Sequence, residues 1–253
     1  MKTYKAYCLD LDGTVYKGKE VIEETVHFVN RLQSKQIEPF FVTNNASQTQ
    51  DQVVEKLSNL GIRALRTHIM TSSLAAAKYI ATHYSNSCVS MIGERGLSEA
   101  LIENGIKLVP KEGDIFVMGI DRGITYDKLA QACLDIRAGA VFISTNSDKA
   151  FPAEKGLIPG NGAFTALIQT STGIDPLFIG KPHAHMLEII QREHGFTKDE
   201  MVMIGDNYDT DIQAGIRFGI DTVHVNTGVS KSDEVKSKSI QPTWCLENLG
   251  EWM

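Results

Sequence analysis

Short apolar runs alternate with segments in which apolar residues return every three or four positions, along nearly the whole chain. That alternation predicts strands joined by crossover helices over a parallel sheet, an α/β protein. A first strand is expected at 7–11, a helix at 23–35 and a second strand at 39–42. The strands are almost wholly apolar, as strands covered on both faces should be. The next helix opens on a capping box, Thr49 with Gln52 three residues later, shows Val53, Leu57 and Leu60 on one face, and stops at Gly61. The middle of the chain has its own material for a core: strands at 88–92, 115–118 and 141–143, and a helix at 125–137 with Leu129, Cys133 and Ile136 inward. Gly156, Pro159, Gly160 and Gly162 read as a structured loop before a helix at 163–172. Strands at 177–179, 201–204 and 222–225 then alternate with a helix after Pro182 and another at 211–218.

Length and composition narrow the class. The chain has 253 residues, 42% hydrophobic and 22% charged, enough for a full core and for one or two domains. The net charge of −6 works against broad binding to a nucleic-acid backbone or an anionic membrane. No apolar run reaches the ~18 residues of a spanning helix, and Lys5 and Asp10 stand where a signal peptide would be apolar. The expectation is a cytoplasmic protein with no membrane and no nucleic-acid polymer as partner, and with self-association left open. Cys8, Cys88, Cys133 and Cys245 lie far apart without a CxxC pair, which suggests neither a zinc ribbon nor a disulfide framework.

The strongest chemical signal is Asp10-Leu11-Asp12-Gly13-Thr14 at the end of the first strand. At average residue usage a fixed DxDGT arises by chance on the order of once in 10⁵ positions. Carboxylates at i and i+2 of a strand share a side. At a strand's C-terminal end they enter the crevice where open α/β sheets bind ligands. Such a pair is costly unless a cation or a shared proton offsets the repulsion. Three further groups follow other expected strands: Thr43-Asn44-Asn45, Gly180-Lys181-Pro182, and Gly205-Asp206-Asn207 with Asp209 and Asp211 just beyond. Thr43, Asn44 and Asn45 offer hydroxyl, amide and backbone donors to an anion. Pro182 suits a first helical turn, which would set Lys181 near a helix N-terminus. A P-loop, a GxSxG elbow and an HExxH pair are all absent.

In this order the motifs resemble those of the haloacid dehalogenase superfamily of phosphohydrolases: Asp10-x-Asp12-Gly13-Thr14, Thr43-Asn44-Asn45, Lys181, and Gly205-Asp206-x-x-x-Thr210-Asp211. The stretch between the second and third motifs is similar to the C2-type cap of subclass IIA. Gly119-Ile120-Asp121, Thr145-Asn146-Ser147-Asp148 and Pro159-Gly160-Asn161-Gly162 look like the NagD-like, p-nitrophenyl-phosphatase-like branch, whose Gram-positive members are described as acid sugar phosphatases. The resemblance implies a Rossmann-like catalytic core made of 1–76 and 176–253, with a cap of 77–175 inserted in it.

It also implies roles. Asp10 would be the nucleophile that forms an aspartyl-phosphate, and Asp12 the general acid and base. Mg²⁺ would sit on Asp10, the backbone carbonyl of Asp12, and Asp206. Thr43, Asn44 and Asn45 would bind the phosphate together with Lys181, while Asp211 would orient Lys181 or a water on the metal. In the cap, Asn146 and Asp148 either meet the part of the substrate beyond the phosphate or cap the following turn. The expected activity is hydrolysis of small phosphorylated metabolites: sugar phosphates, acid sugar phosphates or nucleoside monophosphates. A phosphate-binding regulatory module with little turnover, and a phosphoacceptor receiver domain, are the competing classes.

Overall fold

The computed structural model describes residues 2–153 and 156–252. The chain divides into two compact units, one of Met1–Thr43, Gln50–Met70 and Lys181–Met253, the other of Asn44–Thr49 and Thr71–Gly180. In the first unit the strands run in the order Trp244–Leu246, Asp221–Val225, Met201–Gly205, Ala6–Leu9, Phe40–Thr43, Ile69–Thr71. Leu9 stands opposite Ile204 on one side and Phe41 on the other, in parallel register. The chain therefore leaves three adjacent strands at the same C-terminal edge, through Asp10, Thr43 and Asp206. Each strand is buried on both faces, which is why the sequence there is apolar without alternation.

The helix Glu23–Ser34 buries Thr25, Phe28, Val29 and Leu32, and carries acids in its first turn and Arg31 in its last, as its dipole favours. Tyr4, Tyr7, Phe28 and Trp252 meet with ring centroids 5.4–6.2 Å apart, tilted or edge to face, and tie the two chain ends into one core. The helix Gln50–Asn59 packs Val53 and Leu57 inward, and Gly61 follows it with φ +78°, matching the expected stop.

The second unit has its own parallel sheet, ordered Leu177–Phe178, Val141–Ser144, Ile115–Met118, Cys88–Ile92, Lys107–Leu108. Ile92, Phe116, Met118, Cys133, Ile136, Phe142 and Ile168 form its separate core. Four differences from the sequence reading have identifiable causes. Leu177–Phe178, expected with the 176–253 segment, pairs with Val141–Ser144 of this sheet; an apolar run names a strand but not its partner. Gly156–Pro159 is an arm of an antiparallel hairpin with Ala150–Ala153 rather than loop. Leu157 there is exposed, so the arm has no buried face to betray it. The following helix, Asn161–Thr172, begins before 163. The helices Ser72–His83 and Arg95–Glu103 had no counterpart in the expected pattern. In the first, Ser72, Leu74, Ala75, Ala76, Ala77 and Ile80 are all buried, so no polar face marks its period. Among the described residues no helix is long and apolar enough to cross a membrane.

Candidate active site

The backbone N–H of Asp10 still donates to the Ile204 carbonyl (2.9 Å), so the residue leaves the sheet in a fixed direction. Its carboxylate meets the ammonium of Lys181, which also contacts Asp211 Oδ1 (2.7 Å) and donates to the Val42 carbonyl (3.0 Å). Lys181 reaches this place from a turn, because the next helix starts only at His185. The ammonium is thus committed to the carboxylates and not to a helix N-terminus, and Pro182 lies outside the helix. Asp206, with no exposed surface, accepts from Thr14 Oγ1 (3.1 Å) and from the Val229 N–H (2.6 Å). Asp211 accepts from the Asn207 N–H (3.1 Å) and from Thr210 Oγ1 (3.2 Å). Three glycines make this crowding possible, Gly228 among them, where a Cβ would run into the Asp206 carboxylate. A Cβ on Gly13, at φ +90°, would lie 2.4 Å from Asp206 Oδ2, and one on Gly205 would lie 2.3 Å from Asp211 Cβ.

The cluster is electrostatically unbalanced. Oxygens of Asp10, Asp206 and Asp211 come within 4.8 Å of one another. When ionised, three carboxylates against one ammonium leave two uncompensated negative charges in a buried place. Burial pushes the Asp10 carboxyl well above the usual range; Asp211 and Asp206 add to this and Lys181 opposes it. Burial and Asp211 push Asp206 up to about 6. Burial pulls the Lys181 ammonium down, but Asp10 and Asp211 outweigh it, and the pKa rises above the ordinary lysine value. A hard divalent cation with oxygen ligands suits such a donor set, since it supplies the missing charge and prefers carboxylate oxygens.

Asp12 lies on the more open side. Its surface reaches solvent, yet crowding raises its carboxyl above the ordinary value, against the pull of Lys56, Tyr16 and Lys181. The Tyr16 hydroxyl approaches Asp12 Oδ2 at 3.4 Å, from the short hairpin of Tyr16–Lys17 and Glu20–Val21.

Asn44, Asn45, Asn146 and Asp148 belong to the second unit. Asn44 Nδ2 donates to both carboxylate oxygens of Asp148 (3.1 and 3.2 Å), and Asn146 Nδ2 donates to the Asn44 carbonyl (2.8 Å). Asn146 Oδ1 also accepts the Asp148 N–H (3.1 Å). Residues about a hundred positions apart in the chain thus form one polar knot. Asn161 supports it from behind, donating to Ser144 Oγ (2.9 Å) and the Asn146 carbonyl (2.8 Å). The Asn45 side chain shapes its own loop, accepting from the Ser47 N–H (2.8 Å) and Ser47 Oγ (2.9 Å).

Several supporting residues have roles that the sequence reading did not assign. Thr14 and Val229 hold Asp206, and Tyr16 reaches Asp12. His224 Nε2 lies 3.1 Å from the carbonyls of both Asp206 and Ser230. Two acceptors facing one nitrogen require that it carry the proton, and burial keeps the pKa of this imidazole below its usual value. Thr14 could have been found from the DxDGT motif; the others have no local signature.

Known proteins resemble this chain in sequence and fold. A family model described as haloacid dehalogenase-like hydrolase matches residues 7–107, and a HAD-hydrolase-like model matches 178–252. The chain belongs to the haloacid dehalogenase-like hydrolase family. Within it, the chain is 47% identical over 253 residues to the 5'-nucleotidase YutF of Bacillus subtilis, covering 100% of this chain and 99% of that one. It is 45% identical over 252 residues to an acid sugar phosphatase of Staphylococcus aureus, with coverages of 99% and 97%. Among solved structures, a thermostable NPPase from Geobacillus stearothermophilus matches with TM-score 0.94 at 44% identity, over 100% of this chain and 99% of that chain. A p-nitrophenyl phosphatase from Archaeoglobus fulgidus matches at 0.93 and 29% identity, over 99% and 98%. The HAD-like fold therefore extends over the whole chain.

Proposed function

We propose that this hydrolase of phosphoric monoesters uses a divalent metal, magnesium by its preference for oxygen ligands, and works through an aspartyl-phosphate on Asp10. The observation that carries the reading is the buried set of Asp10, Lys181, Asp206 and Asp211 at the C-terminal edge of three adjacent parallel strands. The phosphatase names of the relatives support the same reaction class.

In this reading Asp10, the Asp12 carbonyl and Asp206 hold the metal, with Asp211 close enough to join them or to hold Lys181. Bound there, the metal supplies positive charge to the phosphoryl oxygens and offsets the carboxylate repulsion. Asp10 attacks phosphorus in line while Lys181, kept protonated by its carboxylates, balances the charge that spreads over the phosphoryl group. Asp12 delivers a proton to the leaving alkoxide; its raised pKa keeps that proton available. It then takes a proton from the water that attacks the phosphorus of the aspartyl-phosphate and releases inorganic phosphate. Thr43 and, next to it in the chain, Asn44 bind phosphoryl oxygens. The amide of Asn44 is oriented by Asp148 and its carbonyl by Asn146. The second unit takes the part of a C2-type cap, and the substrates are small phosphorylated metabolites such as sugar phosphates or nucleoside monophosphates.

The test is release of inorganic phosphate from p-nitrophenyl phosphate by the purified protein, with magnesium and with a chelator. Turnover with magnesium, its loss on chelation, and trapping of phosphate on Asp10 after an acid quench are expected. Activity indifferent to chelation would overturn the metal assignment. Phosphate binding without turnover would favour a regulatory module.

A further inference from the structure

Lys56 is a half-buried cation that makes no ion pair among the described residues, its nearest charge influence being Asp12. It lies on the helix Gln50–Asn59 beside the buried positions Val53 and Leu57. Its ammonium stands 3.5 Å from the centre of the Tyr16 ring, and among the described residues it makes no ion pair and no hydrogen bond. An aromatic face holds a cation but leaves its charge unneutralised. Taking an ammonium partly out of water without a directly paired anion is costly, and burial accordingly lowers the Lys56 pKa, against the pull of Asp12. Tyr16 aims its hydroxyl at Asp12 (3.4 Å), so Lys56, Tyr16 and Asp12 form one patch. Burial and the carboxylates of Asp12 and Asp10 raise the Tyr16 pKa, which keeps its hydroxyl a donor. Asp12 is the residue assigned to protonate the departing oxygen. A cation in its patch, on the side open to solvent, therefore faces the leaving group and not the phosphoryl group.

We infer that Lys56 selects substrates whose leaving group carries an anion, a carboxylate or a second phosphate, by pairing with that anion beside Asp12. The inference rests on the phosphomonoesterase reading above. Lys181 and the metal ligands deal with the transferred phosphoryl group, and Lys56 deals with what is left behind. A charge-assisted hydrogen bond to the substrate's anion strengthens binding on the order of tenfold or more where water is partly excluded.

The experiment uses matched esters: phosphoglycerate against glycerol phosphate, which differ by a carboxylate, and fructose bisphosphate against fructose phosphate. The quantity read is the ratio of kcat/KM within each pair, which does not depend on how much of a variant is folded. For an ester that binds without turnover, the ratio of inhibition constants against p-nitrophenyl phosphate takes its place. Wild-type enzyme should favour the more anionic member of at least one pair, and which pair responds tells carboxylate from phosphate. Lys56→Met and Lys56→Gln should each lower that ratio about tenfold, mainly through KM, while Lys56→Arg restores it to within about threefold of wild type. Rising salt should compress the wild-type ratio more than that of the variants. A ratio that moves less than twofold in Lys56→Met and Lys56→Gln overturns the inference, including the case in which both members slow equally because Lys56 only supports Tyr16 and Asp12. So does a wild-type enzyme that prefers the less anionic member of both pairs. Failure of the wild type to hydrolyse p-nitrophenyl phosphate would instead bring down the phosphatase reading itself.

Discussion

The two units are built alike and charged differently. Each has a parallel sheet with short polar loops leaving the C-terminal ends of its strands. In the first unit those loops bury carboxylates that one lysine only partly compensates. In the second, two acids near the strand ends are paired with cations and others are held by neutral donors. Asp121 meets Lys128 (2.6 Å) and Glu94 meets Arg122 (2.6 Å), while buried Asp135 accepts from Ser90, Gln131 and the Glu112 N–H. The same architecture therefore leaves buried carboxylates in excess in one case and pairs or hydrogen-bonds its acids in the other. What separates them is charge balance, which the fold class does not set.

The largest expected effect follows from removing the proposed nucleophile. Asp10→Asn keeps the shape of the cluster but gives up the attacking anion, and turnover of p-nitrophenyl phosphate should fall by about 10⁴-fold or more. Near-normal rates in this variant would show that water attacks phosphorus directly. The matched Asp135→Asn in the second unit should leave turnover by the folded fraction within a few-fold.

Asp12→Ala comes next. Proton delivery matters for an alkoxide and hardly for a nitrophenolate, so alkyl phosphates should lose about 10²-fold or more and the nitrophenyl ester far less. Equal losses would make Asp12 mainly a metal anchor.

Metal and pH test the charge imbalance through stability. Without metal, burial and the neighbouring Asp211 hold the folded-state pKa of Asp206 up at about 6, above the ordinary 3.8 of an aspartate. A raised folded pKa means that the group's contribution is fully present below the unfolded value and is lost as pH rises through the folded one. With chelator, Tm should therefore carry a downward contribution between about pH 4 and pH 6. If magnesium binds the ionised cluster as proposed, it should raise Tm by several degrees near pH 7.5 but little near pH 5. Asp206→Asn should lose most of this response. An equal magnesium shift at both pH values would place the metal elsewhere.

The smallest effect belongs to the second unit. Asp148→Ala leaves the Asn44 amide without its carboxylate partner, and kcat/KM should fall by about tenfold for all esters in proportion. A change confined to the ranking among sugar phosphates would put Asp148 on the substrate itself.

Much of this arrangement was readable along the chain, because it depends on neighbours in sequence. Ala6–Leu9 and Phe40–Thr43 are strands since a doubly covered strand must be apolar throughout. Asp10, Asp206 and Lys181 were recognisable because the motifs that carry them are compact and each follows an apolar run. Other features depend on partners that no local pattern names. Leu177–Phe178 joined the second sheet because parallel pairing is decided by the whole topology. Asp148 found Asn44 across more than a hundred residues, and His224 came to rest against the carbonyl of Asp206. Lys56, one of many lysines in the sequence, gained its place beside Asp12 only when the helix Gln50–Asn59 docked next to Tyr16. Sequence determined which residues could bury charge, because burial follows from local apolar pattern. Tertiary structure alone decided which of those charges would be balanced, because the range of an electrostatic interaction is measured through space and not along the chain.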